Sequence, residues 1–100
     1  MSTSPISRQE EATFPVFNHH KEAYAFFFEK YGQDFVLEYS ENMDGQNCYF
    51  YALVFDHAIY NKGRKLLRSG TSMTGPLALD FLNCYQSIQI MENGHVHIVH

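Results

Sequence analysis

The sequence predicts an α+β domain, a four-stranded antiparallel sheet built from two β-hairpins with two or three helices packed on one face. Two stretches rich in β-branched and aromatic residues each fold about a pair, Asp44-Gly45 and Asn93-Gly94, that favours a two-residue hairpin turn. Three other stretches place apolar residues at helical spacing between capping residues and Gly or Pro stops. One hundred residues is the length of a single domain, and enough chain to bury a core without disulfide staples.

Residues 1–13 are polar, contain Pro5 and show no apolar period, the composition of a disordered arm, which leaves 14–100 as the folded domain. Asn18 is placed to cap a helix over about 19–31 that Gly32 terminates. At helical spacing His20, Tyr24, Phe27 and Tyr31 form one stripe, flanked by Ala23 and Phe28, while Phe26 falls nearer the charged side.

The first hairpin spans about 35–55. With a two-residue turn, Met43 faces Gln46, and Phe35, Leu37 and Tyr39 then share a face with Cys48, Phe50, Ala52 and Val54. That face is apolar and is expected to be core. The other combines Val36, Glu38 and Ser40 with Tyr49, Tyr51, Leu53 and Phe55, a half-polar, half-aromatic surface. A helix over about 57–69 follows, capped by Asp56 and stopped by Gly70, with Ile59, Gly63, Leu66 and Leu67 on its inner side. Pro76 opens a helix over about 76–86, in which Leu77, Phe81, Cys84 and Tyr85 share a face. The second hairpin, about 87–100, turns at Asn93-Gly94. The tripeptide NCY occurs at 47–49 and 83–85, once in a strand and once in a helix, so it is no repeat.

Composition narrows the function classes. The net charge of −4 argues against general nucleic-acid or anionic-membrane binding. Cys48 and Cys84 lie in apolar stretches outside any CxxC pattern and are read as buried free thiols. The first residues form no apolar run of a signal peptide, and the longest apolar stretch, CYFYALVF, is too short to span a bilayer. Without an N-x-S/T sequon either, a cytoplasmic location is expected.

Few patterns in the sequence carry chemistry. GTSMTG at 70–75 has the two-glycine frame of a phosphate loop, but Pro76-Leu77 stand where Lys-Ser/Thr is required. Thr71, Ser72 and Thr74 beside a helix start are read as a capping loop rather than an anion site. No nucleophile elbow is present, and His57 beside Asp56 points away from it on a helix. No cofactor is implied.

Three candidate surfaces remain. Lys62, Arg64, Lys65 and Arg68 crowd one helix and leave the rest of the chain at −8; Arg64, Lys65 and Arg68 lie opposite the apolar stripe. Tyr49 and Tyr51 on the mixed sheet face, with Phe26, form an aromatic contact surface; Glu38 opposite Tyr51 weighs against nucleic acid there. Glu92, His95 and His97 share a face of the last hairpin if its turn is two residues long, which is a ligand set for zinc; His100 points the other way.

The leading expectation is a small non-enzymatic accessory or regulatory domain that binds a protein partner or itself through the aromatic face or the basic helix. Small accessory proteins of bacteria and their phages share this poverty of motifs, an analogy only. The alternative is a metal- or ligand-binding protein centred on the last hairpin, and an enzyme with dispersed catalytic residues ranks third.

Overall fold

The second strand carries buried side chains on both of its faces, and that property organises the molecule. A computed structural model describes residues 3–72 and 74–100. Its elements are α1 (Arg8–Glu11), α2 (His20–Tyr31), a 3-10 turn (Gly32–Asp34), β1 (Phe35–Met43), β2 (Gln46–Val54), α3 (His57–Arg68), α4 (Gly75–Leu82), β3 (Tyr85–Met91) and β4 (Val96–Ile98). The strands form one antiparallel sheet in the order β1-β2-β3-β4, a meander of the two expected hairpins. No helix among the described residues is long and apolar enough to cross a membrane.

Helices cover both faces of the sheet, where packing on one face was expected. On one side α2 sets Ala23 and Phe27 against Phe35, Tyr51, Leu53, Ile88, Ile90 and Ile98. On the other, Tyr60 of α3 and Phe81 of α4 pack on Ala52 and Val54. Strand alternation separates odd from even residues of β2, so its continuous apolar run Tyr51–Val54 fits burial from both directions. Gly63 lets α4 come close, since a Cβ there would lie 2.0 Å from a ring carbon of Phe81.

The turn at Asp44-Gly45 forms as expected, with positive φ at both residues (54° and 80°). Pairing runs in the expected register from Met43↔Gln46 to Tyr39↔Phe50 and then shifts, bringing Leu37 opposite Tyr51 and Phe35 opposite Leu53. Glu38 is the extra residue of this β-bulge. The shift moves Phe35 and Leu37 onto the Tyr51/Leu53 side, away from Ala52 and Val54. Phe35 stacks on Tyr51 at 4.3 Å between ring centroids, and Tyr39 stacks on Phe50 at 4.5 Å on the opposite face. The expected apolar core face therefore does not exist as one surface, and Leu37 and Tyr39 are each 52% exposed.

The second hairpin also differs by one residue. Ile90 pairs with Val96 and Gln89 with His97, and the amide of Met91 donates to the His95 carbonyl at 2.8 Å. Glu92, Asn93 and Gly94 thus form a three-residue loop, with Gly94 at φ 90° and its amide donating to Met91 O. A side chain at Gly94 would also strike the Phe17 carbonyl, 2.5 Å from an added Cβ. The loop is the docking point for the chain entering α2, whose His20 amide donates to the Glu92 carbonyl at 3.0 Å. This bond replaces the cap expected from Asn18, since α2 begins after His19 without a side-chain cap.

Two further boundaries differ from the sequence reading. The helix expected over 76–86 ends at Leu82, and Cys84 and Tyr85 leave it: Cys84 O accepts from Phe55 N at 2.7 Å, and Tyr85 pairs with Val54. Of the arm expected to be disordered, Met1 and Ser2 lie outside the described residues, and the remainder is largely exposed but anchored at Ile6. Ile6 is 1% exposed within the α2-side core. The Gln86 side chain holds its backbone on both sides, accepting from Ile6 N at 2.7 Å and donating to Ile6 O at 3.1 Å. One buried apolar side chain and two backbone bonds tie this polar segment to the sheet, and Thr3, Glu10 and Glu11 add contacts to Asp34, Lys30 and His100.

Candidate functional site

The aromatic surface is built from β2 and then roofed by α2. Tyr51 is 2% exposed, and its hydroxyl lies 2.7 Å from Nε2 of His20 on the first turn of α2. Tyr49 is half-buried, with the imidazole of His20 stacked 3.6 Å from its ring centroid. Phe26, on the flank of α2, is covered by Phe14 and Phe17 of the N-terminal segment, at 5.1 and 5.4 Å between centroids. Tyr51 and Phe26 therefore face the interior side of the structure, and the three rings do not assemble an open platform. The physical reason is the apolar demand of α2, whose Phe27 and Ala23 must be buried and bring His20 down onto the tyrosines.

The electrostatics of this cluster follow from its burial. Burial holds the His20 imidazolium below its ordinary range, outweighing the attraction of Glu92. Burial, followed by the neighbouring Tyr24 and Tyr49, pushes the Tyr51 phenol up to about 12. A protonated Tyr51 hydroxyl thus meets an uncharged His20 in this bond. A hydrogen bond to Glu92 raises the Tyr49 phenol as well.

That carboxylate bears on the metal reading. Glu92 serves Tyr49 and faces His20 on the α2 side, while His97 pairs with Gln89 and, with His95, alternates onto the opposite side. The longer loop causes this, because a one-residue slip sends side chains to the other face. Glu92, His95 and His97 are not brought together, and no group of three or more His, Cys, Asp or Glu side chains among the described residues is arranged to hold a metal ion.

The basic helix divides in two. Arg64 turns back onto the sheet, where its Nη1 lies 3.4 Å from Glu38 Oε2 and the Tyr60 hydroxyl donates to the same oxygen at 2.9 Å. Sequence position alone gave no sign that the bulged Glu38 collects both groups. Lys65 and Arg68, with Lys62, remain exposed, and no carboxylate among the described residues lies within ion-pair distance of them. The same helix pair exposes Leu67 of α3, and Leu79 and Leu82 of α4, the last two each 63% exposed. Leu79 sits roughly 200° around α4 from the buried Phe81, so it points away from the sheet. The sequence places Leu67 on the inner side of its helix, whereas the structure leaves it exposed, and a helix expected over 76–86 gives no sign of the outward Leu79 and Leu82.

Catalytic arrangements are sparse. His57 Nε2 contacts Asp34 Oδ1 at 2.6 Å, not the adjacent Asp56, whose carboxylate caps α3 by accepting from Ile59 N. Asp34 also accepts from the Thr3 hydroxyl, and the bonds from Thr3 and His57 hold its carboxyl below the usual range. The carboxylate sits between the hydroxyl and the imidazole, so His57 is not placed to take a proton from Thr3. Cys48 and Cys84 are free and buried, and burial pushes both thiols up. In the glycine-framed loop Met73 lies outside the described residues, and Thr74 precedes α4 without a side-chain cap. Compared with models of protein families, with curated proteins and with solved structures, the chain finds no match in any of the three.

Proposed function

We propose that this protein is a non-enzymatic protein-binding domain that docks an acidic, partly apolar partner on the outer surface of α3 and α4. One observation carries the reading: Lys62, Lys65 and Arg68 are exposed with no carboxylate within ion-pair distance among the described residues, on a helix pair that also exposes Leu67, Leu79 and Leu82. Charges provide steering and register, while the leucines provide area to remove from water. Of the surfaces expected from sequence, Lys65 and Arg68 stay in this role with Lys62 added. Arg64 leaves it for Glu38, and Tyr49, Tyr51 and Phe26 leave it for the packing beneath α2.

The test uses a fluorescent amphipathic peptide of glutamate and leucine as probe. Wild-type protein should bind it with an affinity that falls as salt is raised, and Lys65→Glu/Arg68→Glu and Leu79→Ser/Leu82→Ser should each weaken binding by roughly tenfold while leaving the thermal midpoint in place. Equal binding by the charge-reversed protein would overturn the proposal. So would binding to anionic vesicles in preference to the peptide, which would assign the surface to a membrane instead.

A further inference from the structure

We infer that the free edge of β1 accepts an added strand from another polypeptide, and that this strand carries a basic residue between apolar ones. The two edges of the sheet are unequal. β4 is three residues long and lies beside the segment around Phe14–Phe17, which lines a cavity with Gly94, His95 and Val96. β1 is nine residues long, and apart from its ladder with β2 and the bond from the Phe35 amide to the Gly32 carbonyl at its first residue, no backbone hydrogen bond to residues 35–43 is made among the described residues. An edge strand directs alternate N–H and C=O groups outward, a template for one more strand.

The charge around this edge identifies the class of occupant. Residues 31–61 contain Asp34, Glu38, Glu41, Asp44 and Asp56 and no Lys or Arg. Arg64 from outside that stretch neutralises Glu38, which leaves Glu41 as the exposed charge on the edge strand. Beyond the bulge, Tyr39, Glu41 and Met43 alternate onto one face; Tyr39 and Met43 are exposed apolar groups on either side of the carboxylate. A partner strand that sets Lys or Arg opposite Glu41 and apolar side chains opposite Tyr39 and Met43 satisfies all three positions. On the other face Leu37, paired with Tyr51, is a further exposed apolar group. Pairing β1 with a second copy of itself brings a second set of glutamates and no basic residue, so the edge favours a different chain. This surface is independent of the α3–α4 surface.

The test is an NMR titration of the isotope-labelled full chain with a capped peptide of strand length, centred on valine, threonine, lysine, threonine, valine. Amide shifts and new exchange protection should be confined to residues 35–43 and the exposed side chains beside them. Binding should weaken roughly fivefold or more from low to high salt and vanish when alternate peptide amides are N-methylated. Glu41→Lys should reject this peptide and accept the version with glutamate in place of lysine, while Lys65→Glu/Arg68→Glu should leave binding unchanged. Shifts elsewhere, equal binding of the lysine and glutamate peptides, or no binding at millimolar peptide would overturn the proposal. A concentration-dependent dimer that excludes the peptide would overturn it in favour of a second copy.

Discussion

The hydroxyl of Tyr51 lies 2.7 Å from Nε2 of His20, a bond between the second strand and the first turn of the helix that covers it. Both groups are held uncharged, since burial raises Tyr51 to about 12 and lowers His20. The folded state therefore prefers neutral His20. The stability tied to this preference is present above the unfolded value near 6.5 and is lost as pH falls through that value toward the lower folded one. Thermal midpoints measured from pH 7.5 down to about 5 should fall more steeply for wild type than for His20→Phe. Parallel curves would remove His20 as the source.

Tyr51→Ala should cost about 3–5 kcal/mol in chemical denaturation, the loss seen for large buried aromatics. Tyr51→Phe, which keeps the ring and removes only the bond to His20, should cost about 1 kcal/mol. Phe50, only half-buried on the other face, should lose no more than about 1–2 kcal/mol on truncation to Ala. A larger loss at Phe50 than at Tyr51 would contradict the assignment of the two faces.

Gly63→Ala offers a test by sign. In an unobstructed helix the change stabilises by up to about 1 kcal/mol, but here the new methyl meets the Phe81 ring. Net destabilisation of about 1–3 kcal/mol is expected. In a double-mutant cycle Phe81→Leu should recover part of it, since the two residues touch. Additive losses would show that α3 and α4 do not meet at this point.

Ile6→Ala should lower stability by about 2–4 kcal/mol, as for other buried aliphatic side chains. Gln86→Ala should be destabilising as well, because it frees both backbone groups of Ile6. Unfolding midpoints indifferent to both changes would mean that the first residues are an unattached arm.

Local chemistry was legible. Asp44-Gly45 makes its turn because those residues tolerate positive φ, and Asp56 caps α3 because a short carboxylate reaches the Ile59 amide. Helix and strand periods sufficed to identify a meander of two hairpins with helices between them. One further signal was present and unused. The unbroken run YFYALV in β2 lacks the alternation of a half-buried strand, which is what burial from both sides requires.

What the sequence by itself determined is the set of elements and their order, since each depends on residues close together in the chain. The tertiary structure decided which faces those elements present. The bulge at Glu38 places its carboxylate with Tyr60 and Arg64, more than twenty residues away, and it redirects Phe35 and Leu37. The loop at Gly94 adds one residue where the chain entering α2 docks, and with it Glu92 parts from His95 and His97. Side-chain facing in a strand has a period of two, so a single inserted residue reverses it, and the contacts that accompany these insertions come from distant parts of the chain.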